Sequence, residues 1–163
     1  MSLALLLCRL VVGIAFVAYG TVKLLGGQFY HGDFVIDSRT TDGIWLVWCF
    51  YGYSRPYAWF IGLCELVPGL LVLFPRTKTL GALALLAVSL NITVMDFCFD
   101  FPPVKYTALL LTVLCGILVA ADYRKLKKPT QVLAIPSSSY ELAQMRLKVL
   151  SAGPEAASAT AAK

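Results

Sequence analysis

A chain of 163 residues in which 59% are hydrophobic and only 14% are charged lies well below the charged fraction of soluble domains, about a quarter. Its net charge of +5 comes from short Lys and Arg clusters beside apolar runs, which is a membrane pattern and not a nucleic-acid-binding face. Composition therefore excludes an ordinary soluble domain. It predicts the lipid bilayer as a partner and no nucleic acid.

Four apolar runs are long enough to cross a bilayer, which takes about 20 residues per helix. We expect transmembrane spans at about residues 3–25, 55–75, 77–97 and 103–122. These runs predict an all-α fold, an integral membrane four-transmembrane-helix bundle that forms a domain over residues 1–128. The first run contains Arg9 and has no basic segment before it, so we expect an uncleaved span and not a signal peptide.

Residues 26–54 form the longest connection between spans. Its second half, GIWLVWCFYGY, holds about ten apolar and aromatic residues, too few to span a bilayer. We expect a short helical outer loop there, with its aromatic residues at headgroup depth and covering the bundle.

The composition changes after residue 128. Ser138 and Glu141 form a capping box at the start of a short amphipathic helix at about 138–150. The Ala- and Ser-rich end that follows is expected to be disordered, so residues 129–163 are predicted to form a cytoplasmic tail.

Orientation follows from the distribution of charge between the spans. Lys and Arg concentrate in the turn between the second and third spans and after the fourth, whereas acidic residues concentrate in the other connections. The positive-inside rule then predicts that both termini are cytoplasmic and that the acidic loops face outward.

Charged and small residues repeat at helical spacing in the first two spans. The two stripes are Arg9, Gly13, Phe16, Gly20 and Lys23, and Ala58, Gly62, Glu65, Gly69 and Val72. Steps of three and four residues place each stripe on one helical face, and small residues let two helix backbones approach closely. A charge inside the membrane costs about 2.5–3.5 kcal/mol, so such charges face the bundle interior and pair.

We therefore expect Arg9, Lys23, Glu65 and Asn91 to meet in one buried polar hub, with Asn91 contributed by the third span. Two interpretations stay open. The hub is either a structural ion-pair cluster that determines which helices pack together, or an outward-facing polar pocket that holds a small molecule or relays protons.

Polar residues also gather between the third and fourth spans, where two consecutive prolines separate the helices. We expect Asp96, Asp100 and Lys105 to ring the outer mouth of the bundle. They are either solvated turn charges or the lining of the entrance to the Glu65 pocket.

The five cysteines contain no C-x-x-C pair and no metal-ligand spacing. Cys49 and Cys98 both fall on the predicted outer side, where they are either free thiols or a disulfide. The single histidine supports neither a metal site nor a Ser/His/Asp triad. No metal site and no cofactor motif is predicted, and catalytic residues stay unassigned.

Three segments together resemble the DoxX-like family of small membrane proteins: RLVVGIAFVAYGTVKL, FIGLCELVPGLLVLFPRTKTLGALALLAVSLNITVMDFCFD and FPPVKYTALLL. The resemblance covers about residues 5–125. It implies a bacterial four-helix protein of the cytoplasmic (inner) membrane, in a family whose wider relatives include membrane partners of redox enzymes. We expect the pocket to receive a lipid, a quinone or a small hydrophobic ligand, or the surface to dock a soluble or membrane redox enzyme. The missing C-x-x-C pair argues against direct thiol catalysis.

These features favour an accessory or binding subunit without intrinsic catalysis, whose buried polar pocket faces outward and which partners a membrane or redox system. The alternative is a component of a quinone-linked membrane oxidoreductase, for which no haem, flavin or iron–sulfur motif is visible. A small transporter is less favoured because the chain lacks an inverted repeat. A homo-oligomer is compatible with each of these.

Overall fold

The computed structural model describes residues 3–37 and 39–122, and these residues form an all-helical chain without strands. The five helices are α1 (Leu3–Leu24), α2 (Gly43–Gly52), α3 (Arg55–Leu73), α4 (Lys78–Cys98) and α5 (Val104–Ala121). The predicted all-α class is confirmed for this part of the chain. The amphipathic helix expected at 138–150 and the rest of the tail lie outside the described residues.

Four of these helices occupy the runs that were expected to span a bilayer. α1, α3, α4 and α5 have 18 to 22 residues and are long and apolar enough to cross, whereas α2 has only 10. Large apolar side chains on their surfaces are exposed, including Ile14, Trp59, Leu63 and Val113, as expected where lipid covers the bundle. The chain is a multi-pass membrane protein.

The four long helices run antiparallel to their neighbours in sequence. α1 packs mainly on α3, α3 also packs on α4, and α4 packs on α5, with a smaller contact between α1 and α5. We call the end that carries α2 and the α4–α5 turn the loop end. The opposite end, with the α3–α4 turn, is the hairpin end.

The apolar core fills the half of the bundle near the hairpin end. Its buried side chains come from all four long helices: Val12, Phe16, Val72, Ala82, Leu85, Leu111, Cys115 and Leu118. Val12, Val72, Leu85 and Cys115 have no exposed surface. This half is therefore a packed interior in which helix positions are determined by side-chain fit.

The seam between α1 and α3 depends on glycines. A Cβ atom built on Gly20 would lie 2.6 Å from the backbone nitrogen of Leu66 and 2.7 Å from the carbonyl oxygen of Gly62. Both are main-chain atoms, which cannot move aside as a flexible side chain can. The stripe of small residues thus lets the two backbones touch near the loop end, as the spacing predicted.

The segment before α2 and α2 itself are tied together by hydrogen bonds. The Asp42 side chain accepts from the backbone N–H of Trp45 at 2.7 Å and caps α2. The backbone N–H of Tyr30 donates to the carbonyl of Trp48 at 3.2 Å, and Nδ1 of His31 donates to the carbonyl of Gly52 at 2.9 Å. α2 is thereby held across the loop end of the bundle.

A pair of glycine substitutions tests the α1–α3 seam. Gly20→Ala should lower the melting temperature of the purified protein in detergent, because the added methyl group collides with backbone atoms of α3. Gly116→Ala is the matched control, since nothing lies within 4 Å of its Cβ position in α5. In a helix interior that change is expected to stabilise by about 1 kcal/mol. Equal responses of the two variants would contradict the close seam.

Candidate functional site

A cavity of about 360 Å³ occupies the half of the bundle near the loop end, beyond the packed core. All five helices contribute to its wall, together with the α1–α2 connection and the α4–α5 turn. Most of the wall is apolar, and the polar side chains are few. This combination is typical of sites that bind small molecules, in which a few polar groups orient an apolar ligand.

Lys23 and Glu65 form a buried ion pair on the cavity wall. Nζ of Lys23 donates to Oε1 of Glu65 at 2.7 Å and to Oε2 at 2.6 Å. Glu65 is 1% exposed and Lys23 is 6% exposed, so both charges are withdrawn from bulk solvent. Each is the hydrogen-bonded counter-charge of the other, and the pair joins α1 to α3.

The glycine seam explains why this pair can form. Gly20 and Gly62 bring the two backbones into contact one turn from the charged residues. Because α1 and α3 are antiparallel, Gly20 lies beside residues 62–66 of α3, and Glu65 is therefore at about the level of Gly20. Lys23 is one turn nearer the loop end, and its long side chain points back toward the N-terminus of α1 and reaches Glu65 across the seam. The sequence stripe therefore places the acid opposite the base.

Aromatic rings surround the Lys23 ammonium. Its Nζ atom lies 5.8 Å from the ring centroid of Tyr19 and 5.9 Å from that of Phe29. Both rings also line the cavity. Their faces attract a cation electrostatically, which helps to hold an ammonium in an otherwise apolar wall.

Asp96 and Trp48 line the cavity, and each has a buried polar atom without a hydrogen-bond partner among the described residues. These atoms are Oδ2 of Asp96 and Nε1 of Trp48. Asp96 is only 3% exposed. Buried polar groups are nearly always bonded, so this acceptor and this donor are available for a ligand.

Tyr51 of α2 adds a phenol to the same wall. Burial raises the pKa of this phenol above its ordinary value, and the charges of Tyr57, Glu65 and Asp96 raise it further. Tyr51 is therefore neutral at physiological pH and can serve as a hydrogen-bond donor. Its ring stacks on Phe29, with the centroids 5.1 Å apart.

The structure separates Arg9, one of the four residues of the expected hub, from the Lys23–Glu65 ion pair. Arg9 lies 14 residues from Lys23 in α1, which corresponds to about 21 Å along the helix axis. It lines a small cleft at the hairpin end together with Lys78 and Asp122. There Asp122 accepts a hydrogen bond from Thr79 at 2.7 Å and pairs with Lys78 at 3.7 Å. The stripe of residues in the sequence correctly places Arg9 and Lys23 on the same face of α1, but it does not say how far apart they lie along the helix axis.

Asn91 lines the cavity, but its side chain is exposed and no hydrogen bond to the ion pair is present. Asn91 therefore borders the site on α4 without joining Lys23 and Glu65.

The three residues expected at the mouth take different positions. Asp96 lies inside the cavity, because α4 continues to Cys98 and its last turns face the bundle interior. Asp100 and Lys105 form an ion pair in and after the α4–α5 turn, and neither lines the cavity. The Asp100 side chain is 77% exposed.

Cys49 and Cys98 are free thiols in the structure, and the disulfide considered above is not formed. Cys49 points into the buried side of α2, where burial raises the pKa of its thiol. Cys98 is exposed at the end of α4. One thiol faces inward and the other outward. The described residues also contain no group of three His, Cys, Asp or Glu side chains arranged to hold a metal ion.

Several lining residues were not predicted to belong to a site: Trp48 and Tyr51 were expected at headgroup depth on a helix that covers the bundle, and Phe29 and Phe101 were not singled out. Trp48, Tyr51, Phe29 and Phe101 come from connections and from α2, and they reach the cavity only through the folded loop end. The aromatic content of residues 45–53 is the signal that could have identified part of this set, because rings on a short covering helix have one buried face.

Comparison with known proteins finds one relative with substantial coverage. The chain is 37% identical over 117 residues to the uncharacterized protein YwoB of Bacillus subtilis (strain 168), and the aligned part covers 72% of this chain and 75% of the relative. No family model matches the chain. No solved structure matches it.

Substitution of the acid tests the buried ion pair. Glu65→Gln keeps the side-chain size but leaves the Lys23 charge unbalanced, so we expect a loss of about 3–5 kcal/mol of stability. The measurement is the melting temperature of the purified variant in detergent.

Asp100→Asn is the matched control, since it makes the same chemical change in an exposed carboxylate and should melt like the unaltered protein. The double variant Lys23→Met with Glu65→Met should melt above Glu65→Gln, because apolar side chains can replace a buried pair. Unchanged melting of Glu65→Gln would contradict the role of the pair.

Proposed function

This chain belongs to the family of YwoB from Bacillus subtilis, and we propose that it is a multi-pass membrane protein that binds a small lipid-soluble molecule in the cavity of its loop half. The observation that carries the proposal is the pairing of an apolar cavity of about 360 Å³ with two buried polar atoms that have no hydrogen-bond partner within residues 3–37 and 39–122. A bound molecule can supply those hydrogen bonds while its apolar body contacts the wall.

The size of the cavity supports a small ligand. Ligand sites have volumes of roughly 300–1,000 Å³ and enclose most of the ligand surface. At about 360 Å³ this cavity is near the lower limit. It suits one ring system or one short chain and not a whole phospholipid.

The ion pair supports binding in preference to catalysis. A general base needs a free lone pair that can reach the proton it removes. Both Glu65 oxygens accept from Lys23, and the Lys23 ammonium is held by both of them. Lys23 has no lone pair while it is an ammonium, and Glu65 could take up a proton only by giving up its neutralising partner, so we favour an accessory or binding subunit.

A role beside a redox enzyme is part of this proposal. The resemblance of residues 5–125 to the DoxX-like family supports it, as does the ring-lined wall formed by Phe29, Tyr51 and Phe101. The flat ring and apolar chain of a quinone match the apolar and aromatic part of such a wall. The second candidate, a component of a quinone-linked oxidoreductase, differs only in requiring that the bound quinone be reduced or oxidised in place.

We also propose the bacterial cytoplasmic membrane as the location, with the loop end facing outward. Arg76 and Lys78 flank the hairpin-end turn, and Lys and Arg also follow α5 in the sequence. Basic residues favour the cytoplasmic side. The half of the bundle that holds the cavity then lies toward the outside of the cell.

Cavity-filling substitution tests the binding function. Ala108 lines the cavity and is buried, so Ala108→Phe should occupy ligand volume and abolish retention of a small molecule. Native mass spectrometry of protein extracted gently from its own membrane measures that retention. Ala120→Phe is the matched control, because Ala120 is exposed on the same helix and lies outside the cavity. Absence of a retained molecule in the unaltered protein, with a co-purifying enzyme, would favour a docking role alone.

The exposed thiol of Cys98 offers a test of orientation. A membrane-impermeant maleimide added to intact cells should label Cys98, because this residue is exposed at the loop end. Cys98→Ser should lose the label. Labelling of Cys98 only after the cells are broken open would place the loop end in the cytoplasm and reverse the proposed orientation.

A further inference from the structure

We infer that the molecule bound in this cavity carries a cationic amine head, which the Asp96 carboxylate binds. This inference rests on the proposed binding function and names the chemical class of the ligand. Four observations lead to it: the charge balance of the wall, the surroundings of Asp96, the position of Lys23 among aromatic rings, and the misfit of other head groups.

The charge balance of the cavity is uneven. Among the residues that line it, the side chains of Lys23, Glu65 and Asp96 are charged in their ordinary states. Lys23 and Glu65 neutralise each other through two short hydrogen bonds. The Lys23 charge also acts on Asp96, but Asp96 forms no ion pair with a base of the described residues. One cation facing two acids leaves the cavity wall short of a positive charge.

No cation of the described chain is in a position to fill that role. Lys23 is the only Lys or Arg that lines the cavity, and Glu65 holds it. Lys105 pairs with Asp100 outside the cavity, and Arg9 lies at the hairpin end. Oδ2 of Asp96 therefore stays available, at 3% residue exposure, to a donor that comes from outside the chain.

The wall already holds one ammonium. Nζ of Lys23 is within 6 Å of two ring centroids, those of Tyr19 and Phe29. Trp48, Tyr51 and Phe101 extend the aromatic lining of the same cavity. Ring faces attract cations most strongly where water is excluded. A ligand amine beside Asp96 would thus find both a counter-charge and aromatic surfaces.

Other head groups fit the wall less well. A carboxylate or phosphate would face two acids, Asp96 and Glu65, and one ammonium that is already engaged. A quinone carries only acceptors, which suit the Trp48 N–H but leave the Asp96 carboxylate without a donor. An amine supplies up to three donors and the missing charge to Asp96, but it carries no acceptor, so the acceptor for the Trp48 N–H must lie elsewhere on the ligand. A buried carboxylate without a partner costs more than a neutral N–H without one, so Asp96 decides the class of head group.

Three probes of one shape test the inference: phenylbutylamine, phenylbutanol and phenylbutyrate. Binding is measured by titration calorimetry on the full chain in lipid nanodiscs, with empty nanodiscs subtracted to remove partitioning into lipid. The amine should bind about tenfold or more tightly than the alcohol, because hydrogen bonds to charged groups are stronger than neutral ones. The carboxylate should bind weakest. Equal or tighter binding of the alcohol or the carboxylate would overturn the inference.

Two aspartate variants locate the head group. Asp96→Asn should weaken amine binding about tenfold or more and leave the alcohol nearly unchanged. Asp100→Asn, the same change in an exposed carboxylate outside the cavity, should leave both unchanged. Amine binding that survives Asp96→Asn at full strength would overturn the inference. The comparison of the three probes on the unaltered chain decides the question even where Asp96→Asn does not fold.

Failure of this inference can be told apart from failure of the binding function. A neutral molecule, such as a quinone, retained in native mass spectrometry and lost in Ala108→Phe would overturn the amine head and keep the cavity as a binding site. No binding of any probe, with no retained molecule, would overturn both. Amine binding that persists at full strength in Ala108→Phe would place the interaction outside the cavity and also overturn both.

Discussion

The ion pair between Lys23 and Glu65 is the interaction on which the arrangement of this bundle depends. It joins α1 to α3 at a place where both charges are buried, and Gly20 and Gly62 let the two backbones come close enough for it to form. A buried pair adds little net stability over apolar packing, but an unpaired charge there is strongly unfavourable. The pair therefore specifies which helices are neighbours and in which register. In the same place it supplies a neutral, hydrogen-bonded wall for the cavity.

The bundle divides its length between two tasks. Near the hairpin end, side chains from α1, α3, α4 and α5 fill the interior, beside a small cleft of about 20 Å³. Near the loop end, the same helices enclose a cavity of about 360 Å³ that α2 and its connection cover. A cavity inside a protein lowers its stability. Here the packed half holds the helices in position, so the other half can keep open volume. This division allows a chain with only four long helices to offer a binding site.

Hydropathy and helical periodicity predict the four long helices and part of the candidate site. Apolar runs locate the four long helices because the length of a span is set by the bilayer, and steps of three and four residues place Lys23 and Glu65 on facing stripes. The same stripe includes Arg9, since periodicity identifies a face and not a depth. The interior position of Asp96 depends on how far α4 continues before the turn. The contributions of Trp48 and Tyr51 depend on how residues 26–54 fold back over the bundle. Both are properties of tertiary contacts that no local pattern contains.

The depth of Glu65 has a consequence for how the protein is made. Lys23 sits one residue before the end of α1, so its long side chain can reach the membrane surface while α1 is alone in the bilayer. Glu65 lies in the middle of α3 and has a short side chain without that option. During biogenesis, α3 thus enters lipid at low energetic cost only when α1 is already beside it. The order of the helices in the gene product, with the lysine synthesised before the glutamate, matches the order that insertion requires.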